Sequence, residues 1–108
     1  MDCLFCKFAS GEIPKEFVYE DEDIMVFPDI HPVKPIHLLV MPKRHLTDFM
    51  SLDDDILLGK VRKVIQNIIK KEGLTDKGFR IVVNGGGAQA IDHLHFHVYG
   101  PLSSAAAL

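Results

Sequence analysis

The sequence has no excess of one charge, few cysteines and no long apolar run, and each shortage narrows what the protein can be. Its 12 Lys and Arg stand against 15 Asp and Glu, a formal net charge of −3. That leaves no broad basic surface to neutralise a duplex phosphate backbone, so no nucleic-acid partner is expected and any anionic ligand must be met locally. No apolar run approaches the ~20 residues of a membrane-spanning helix. Residues 1–22 also lack the basic segment followed by an apolar one that marks a secretory signal. The expectation is a cytoplasmic protein with no membrane partner, its two cysteines kept reduced. Repeats and internal low-complexity linkers are missing too, so residues 1–108 read as a single domain, with a flexible tail expected over residues 101–108.

What is present suffices for a core. Hydrophobic residues make up 47% of the 108, and a chain of this size buries about two-thirds of the surface it exposes when unfolded. A short helix is expected over Cys3 to Ser10, closed by Gly11 and the Ile13-Pro14 step. Strands follow over Glu16–Glu20 and Ile24–Phe27, with Asp21-Glu22-Asp23 as the turn between them. Pro28, Pro32 and Pro35 bracket a loop, and His37-Leu38-Leu39-Val40-Met41 reads as a buried central strand. Leu57, Val61, Val64, Ile65 and Ile68 recur at helical spacing, with Ser51 as the expected N-cap and Gly73 as the C-cap. Two further strands, over Gly78–Asn84 and His93–Tyr99, flank a glycine-rich loop and are expected to lie side by side. The sum is an α+β domain: a five-stranded, mostly antiparallel sheet with one long and one short helix.

Histidine is the informative residue. Of six in the chain, His93, His95 and His97 fall within five positions. In a strand these three share one face while Leu94, Phe96 and Val98 take the other, and neighbouring imidazoles lie roughly 6.5–7 Å apart. A solvated edge would be served equally well by Ser, Thr or Lys. A three-histidine metal site would need ligands that far apart to converge on one ion. Nucleophilic use fits better, because an imidazole attacks phosphorus directly and a flanking one offsets charge on a phosphoryl oxygen.

His93-Leu94-His95-Phe96-His97-Val98-Tyr99 resembles the His-φ-His-φ-His-φ-φ signature of the histidine-triad (HIT) superfamily, where φ is apolar. The likeness runs from Cys3 to Tyr99 and is strongest to the Hint branch of nucleoside phosphoramidases. Ile13-Pro14, Phe27-Pro28-Asp29-Ile30, the segment from Pro35 to His45, and Val82-Val83-Asn84 with Gln89 support it. The resemblance implies the HIT fold, with two copies dimerising into a ten-stranded sheet. It implies cleavage at the α-phosphate of a purine nucleotide, with His95 as nucleophile, His97 at the phosphoryl oxygens and leaving group, and His37 positioning them. Asp29 would bind the ribose hydroxyls, and Leu4, Phe5, Phe8, Phe27 and Ile30 would enclose the base. Asn84 and Gln89 would present amides to the phosphate, helped by free N–H groups of the glycine run between them. Ala90 replaces a serine usual in the Hint branch, and His31 is left without a role.

Cys3 and Cys6 form a C-x-x-C pair with no preceding strand to make it a thioredoxin-like redox motif. Two free structural thiols are one reading and a tetrahedral zinc site completed by imidazoles is another. The family resemblance favours structural zinc held by Cys3, Cys6, His45 and His93. Two other functions remain open on sequence: a dinucleoside polyphosphate hydrolase of the Fhit branch, and a nucleotide-binding regulatory module with little turnover, which Ala90 makes less remote.

Overall fold

The computed structural model describes residues 2–104. The elements are α1 (Leu4–Ser10), β1 (Tyr19–Glu20), β2 (Ile24–Pro28), β3 (Ile36–Pro42), a short 3-10 turn at Phe49–Ser51, α2 (Asp55–Lys71), β4 (Arg80–Val83) and β5 (Phe96–Gly100). The strands form one sheet in the order β1-β2-β3-β5-β4, and every neighbouring pair is antiparallel. This is the α+β architecture expected from the sequence.

Alternation along the strands divides the core in two. Ile24, Val26, Leu38, Val40, Phe96 and Val98 face one way and pack against Leu57, Val61, Val64, Ile65 and Ile68 of α2. Met25, Phe27, Leu39 and Met41 face the other way and meet Cys3 and Phe5 from α1. The register aligns Phe27 with Leu39, and Leu39 with His97, so these three side chains make one row across the α1 face. A 17-residue helix covers most of one face, leaving only the β4 edge open, and a 7-residue helix covers only part of the other. A cavity opens on the partly covered face.

Three expectations need correction. Asp54, not Ser51, caps α2: its carboxylate accepts from the Leu57 N–H at 3.0 Å, while Ser51 ends the preceding 3-10 turn. A carboxylate at that position also complements the helix dipole, which a serine does not. Asp54→Ala is therefore expected to cost about 1 kcal/mol in chemical denaturation, and Ser51→Ala close to nothing. Secondly, β5 begins at Phe96, so His93 and His95 precede the ladder. Leu94 is held instead by its N–H to the Leu46 carbonyl at 2.7 Å, and the alternation of faces continues through the segment. Thirdly, the strand expected over Glu16–Glu20 forms only at Tyr19–Glu20; towards the other end of the chain the Leu102 N–H reaches the carbonyls of Lys77 and Gly78 at 3.2 and 3.0 Å. Gly78 has φ +81°, and a Cβ there would collide with the Leu102 carbonyl, so this junction requires glycine. Residues 105–108 of the expected flexible tail lie outside the described residues.

Candidate active site

The cavity on the α1 face has a volume of about 430 Å³ and gathers residues distant in sequence. Leu4, Phe5 and Phe8 come from α1, and Phe27, Asp29 and Ile30 from the end of β2 and the loop after it. Asn84, Ala90, His95 and His97 come from the last third of the chain. Phe5 and Phe27 are buried core residues as well as cavity wall. The sequence reading did not include Lys15, His31, Leu39, Ala88 or Ile91, which also line it.

Among the expected residues His37 stands behind His97 and not on the wall, and Gln89 is the one nucleotide-binding candidate away from it. It does not line the cavity; its amide nitrogen donates to the Thr47 carbonyl at 2.9 Å. One N–H of the glycine run expected to be free for a phosphate is engaged, that of Gly86 by the Asp48 carboxylate at 2.9 Å, and the N–H of Ala88 just after the run bonds to the Gly85 carbonyl at 3.1 Å. Together with the Leu94–Leu46 bond, these contacts lash residues 46–48 to the segment that carries the histidines.

Backbone groups assign the protons on the imidazoles. His95 Nδ1 lies 2.7 Å from the His93 carbonyl, which only accepts, so Nδ1 carries the proton and Nε2 of the neutral ring keeps its lone pair. His37 Nδ1 accepts from the Val33 N–H at 3.1 Å, which puts its proton on Nε2. That Nε2–H donates to His97 Nδ1 at 2.9 Å, so neutral His97 holds its own proton on Nε2. Two imidazoles with ring centroids 5.1 Å apart therefore present opposite faculties, a bare nitrogen on His95 and an N–H donor on His97. Asp29 Oδ2 stands 3.4 Å from His37 Nε2 and 3.7 Å from His97 Nδ1, and Oδ1 accepts from the His31 N–H at 2.9 Å.

Burial holds His37 and His97 below the ordinary histidine value of 6.5; Asp29 opposes the shift at both, and the neighbouring His95 and His37 reinforce it at His97. The folded chain thus resists protonating groups that the unfolded chain protonates freely. Stability is expected to fall as the pH drops through about 6.5, the unfolded value, and His37→Gln to flatten that slope in denaturation titrations.

Two clusters bring metal-type donors within 4.8 Å of one another, and their chemistry differs. At Asp29, His37 and His97 the Val33 N–H occupies His37 Nδ1 and forces a proton onto the very nitrogen that would ligate. This cluster is a hydrogen-bond relay. At Cys3, Cys6, His45 and His93 the opposite holds. His93, completely buried, donates Nε2–H to the Pro42 carbonyl at 2.8 Å and turns its unprotonated Nδ1 to Cys3 Sγ at 3.4 Å and Cys6 Sγ at 3.5 Å. His45 Nδ1 lies 3.2 Å from Cys6 Sγ. A ligating histidine anchored through its other ring nitrogen is the arrangement zinc sites use, and donors 3.2–3.5 Å apart match the edges of a tetrahedron of ~2.1–2.3 Å bonds. Burial and the adjacent Cys3 push the Cys6 thiol up to about 11, so two thiolates here call for a cation between them. The residues fit a zinc ion.

Comparison with known proteins agrees with this geometry. A family model described as scavenger mRNA decapping enzyme C-terminal binding matches residues 2–107. The protein HitA of Neisseria gonorrhoeae is 43% identical over 103 residues, covering 92% of this chain and 95% of that one. The crystal structure of a HIT family hydrolase from Legionella pneumophila superposes with a TM-score of 0.86 at 40% identity, over 94% of this chain and 95% of the other.

The chain belongs to the histidine-triad superfamily.

Its HIT relatives include a 14 kDa zinc-binding protein of Brassica juncea, 42% identical over 106 residues and covering 92% of each chain. These relatives place the chain among the HIT family hydrolases, a nucleotide-binding kind of protein. Among the described residues no helix is long and apolar enough to cross a membrane.

Proposed function

We propose that the protein hydrolyses purine nucleoside phosphoramidates and adenylate-type compounds at the α-phosphate through a nucleotidyl-His95 intermediate. The observation that carries this reading is the pair of opposite tautomers, with His95 Nε2 bare and His97 Nε2 protonated. In the first step the anionic substrate brings a second proton onto His97, at Nδ1 beside Asp29 Oδ2; His95 Nε2 then forms a bond to the α-phosphorus as the phosphorus–amine bond breaks, and the His97 imidazolium gives its Nε2 proton to the departing amine and becomes neutral. In the second step a water bonds to phosphorus, its proton passes to His97 Nε2, and the phosphorus–His95 bond breaks to release the nucleoside monophosphate. His37 keeps His97 in the required tautomer, and Asp29, beside both, is placed to accept from ribose hydroxyls. Because Ala90 brings no hydroxyl to the wall, His97 is the donor for the leaving group. A substrate panel tests this: phosphoramidates of adenosine and guanosine should be turned over in preference to diadenosine polyphosphates. The reverse order would favour a dinucleoside polyphosphate hydrolase.

Zinc is proposed as a resident structural ion held by Cys3, Cys6, His45 and His93. When bound, it would join α1, the end of the β3 segment and the approach to β5 by metal–ligand bonds, and would supply no group to the reaction.

A homodimer is also proposed. β4 is an edge strand, and its Ile81 and Val83, on the α2 face of the sheet, are 46% and 37% exposed, with Phe79 at 42% just before it. Exposed apolar side chains on an unpaired edge favour pairing with a second copy into a ten-stranded sheet. Light scattering should give twice the 12.1 kDa chain mass, and Ile81→Lys should return the monomer.

A further inference from the structure

Among the described residues Lys15 is the one ammonium on the cavity wall, and nothing in the catalytic argument uses it. Its Nζ lies 5.0 Å from the centroid of the Phe8 ring and 4.7 Å from that of Phe27. No carboxylate pairs with it among the described residues. A lysine held half-buried over two rings, without an ion pair, differs from the solvated lysines of the surface.

Its place along the cavity limits what it can touch. Phe5 is the aromatic ring that meets His95, edge-on at 5.3 Å. Phe8 and Phe27 stand beyond it, at 6.2 and 5.5 Å from Phe5. Asp29 marks the other side, beside His97. Lys15 is therefore at the aromatic end, where a base would stack, and away from the histidine end, where the phosphate would sit.

We infer that Lys15 reads the edge of the base and directs the cavity to 6-oxopurine nucleotides, guanine and hypoxanthine, over 6-aminopurine ones. This rests on the nucleotide reading of the site. An ammonium has three donors and no acceptor. A 6-oxopurine offers it two adjacent acceptors, O6 and N7, whereas adenine offers N7 beside an N6 amino group that is itself a donor. The charge-assisted bond to O6 has no counterpart with adenine, where ammonium and amino group face each other unfavourably. Among the described residues no acidic side chain at the aromatic end offers adenine's amino group an acceptor in compensation, since Asp29 is the one carboxylate they bring to the wall and it lies beside the histidines.

Calorimetric titration of the full chain with guanosine, inosine and adenosine 5′-monophosphates tests this, comparing wild type with Lys15→Met, which keeps an apolar stem over the rings and removes the charge. Wild type should bind the guanine and hypoxanthine nucleotides about tenfold more tightly than the adenine one. Lys15→Met should bring all three within about twofold, chiefly by weakening the two 6-oxopurines. Inosine monophosphate, which lacks the 2-amino group, ties the preference to O6. An unchanged ratio in the variant, or an equal loss for all three ligands, overturns the role of Lys15 and leaves the nucleotide site standing. Failure of wild type to bind any of the three overturns the nucleotide reading and this inference with it.

Discussion

His95→Ala is expected to lower turnover of a nucleoside phosphoramidate by about a thousandfold or more while leaving the fold intact, because it removes the one cavity nitrogen that is both bare and aimed by the backbone. His97→Ala should behave differently. Losing a general acid costs about 10²–10⁴-fold, and the loss should shrink for substrates whose leaving group needs no proton. The two variants thus separate nucleophile from proton donor: dependence on leaving-group acidity should steepen in His97→Ala and be absent from the residual activity of His95→Ala. His37→Gln tests the link between them. Its amide cannot reproduce an N–H donor held by a backbone N–H, so His97 loses the group that selects its tautomer, and kcat should fall more than KM changes.

The second large effect concerns the Cys/His cluster. Removing the metal with a chelator, or replacing Cys3 by Ser, is expected to lower the melting temperature by on the order of 10–20 °C, corresponding to about 3 kcal/mol in a domain of this size. Metal analysis of the purified chain should give one zinc per chain. The cluster draws together Cys3 and Cys6 on α1, His45 after β3 and His93 before the nucleophile. Two of these pieces, α1 and the segment before β5, line the cavity, and the third leads into residues that hold the segment before β5 in place. Leu46, Thr47 and Asp48, directly after His45, bond in turn to Leu94, Gln89 and Gly86. Loss of the ion should therefore loosen base pocket and catalytic loop together, and nucleotide binding should weaken with stability. A chain with well under one zinc, whose Cys3→Ser variant melts unchanged, would contradict this account.

Much of this architecture was readable from residue order because the signals were periodic. The spacing of Leu57, Val61, Val64, Ile65 and Ile68 predicts α2 and its buried face, and the apolar run from His37 to Met41 predicts the central strand. The histidine alternation places His93, His95 and His97 on one side even though two of them precede β5, because a segment can keep extended geometry while its hydrogen bonds go to a loop. The cap of α2 was misplaced since Ser51 and Asp54 are both good caps, and only the 3-10 turn between them decides. Residue type does not place Gln89 either: its amide suits a phosphate or a carbonyl equally, and the carbonyl of Thr47 comes near only through the fold. Lys15 and His31 carried no periodic or motif signal. They belong to the site because a strand end and a loop meet over α1, which is information held in three dimensions.

The central claim is that phosphorus becomes bonded to His95. It is tested most directly by mixing the protein with a purine nucleoside phosphoramidate, quenching in the pre-steady state and mapping the adduct by mass spectrometry. The account predicts one nucleotidyl group per chain, located on His95 and absent from His95→Ala. Rapid turnover by the wild type with no adduct at any time, or an adduct that persists in His95→Ala, would contradict it.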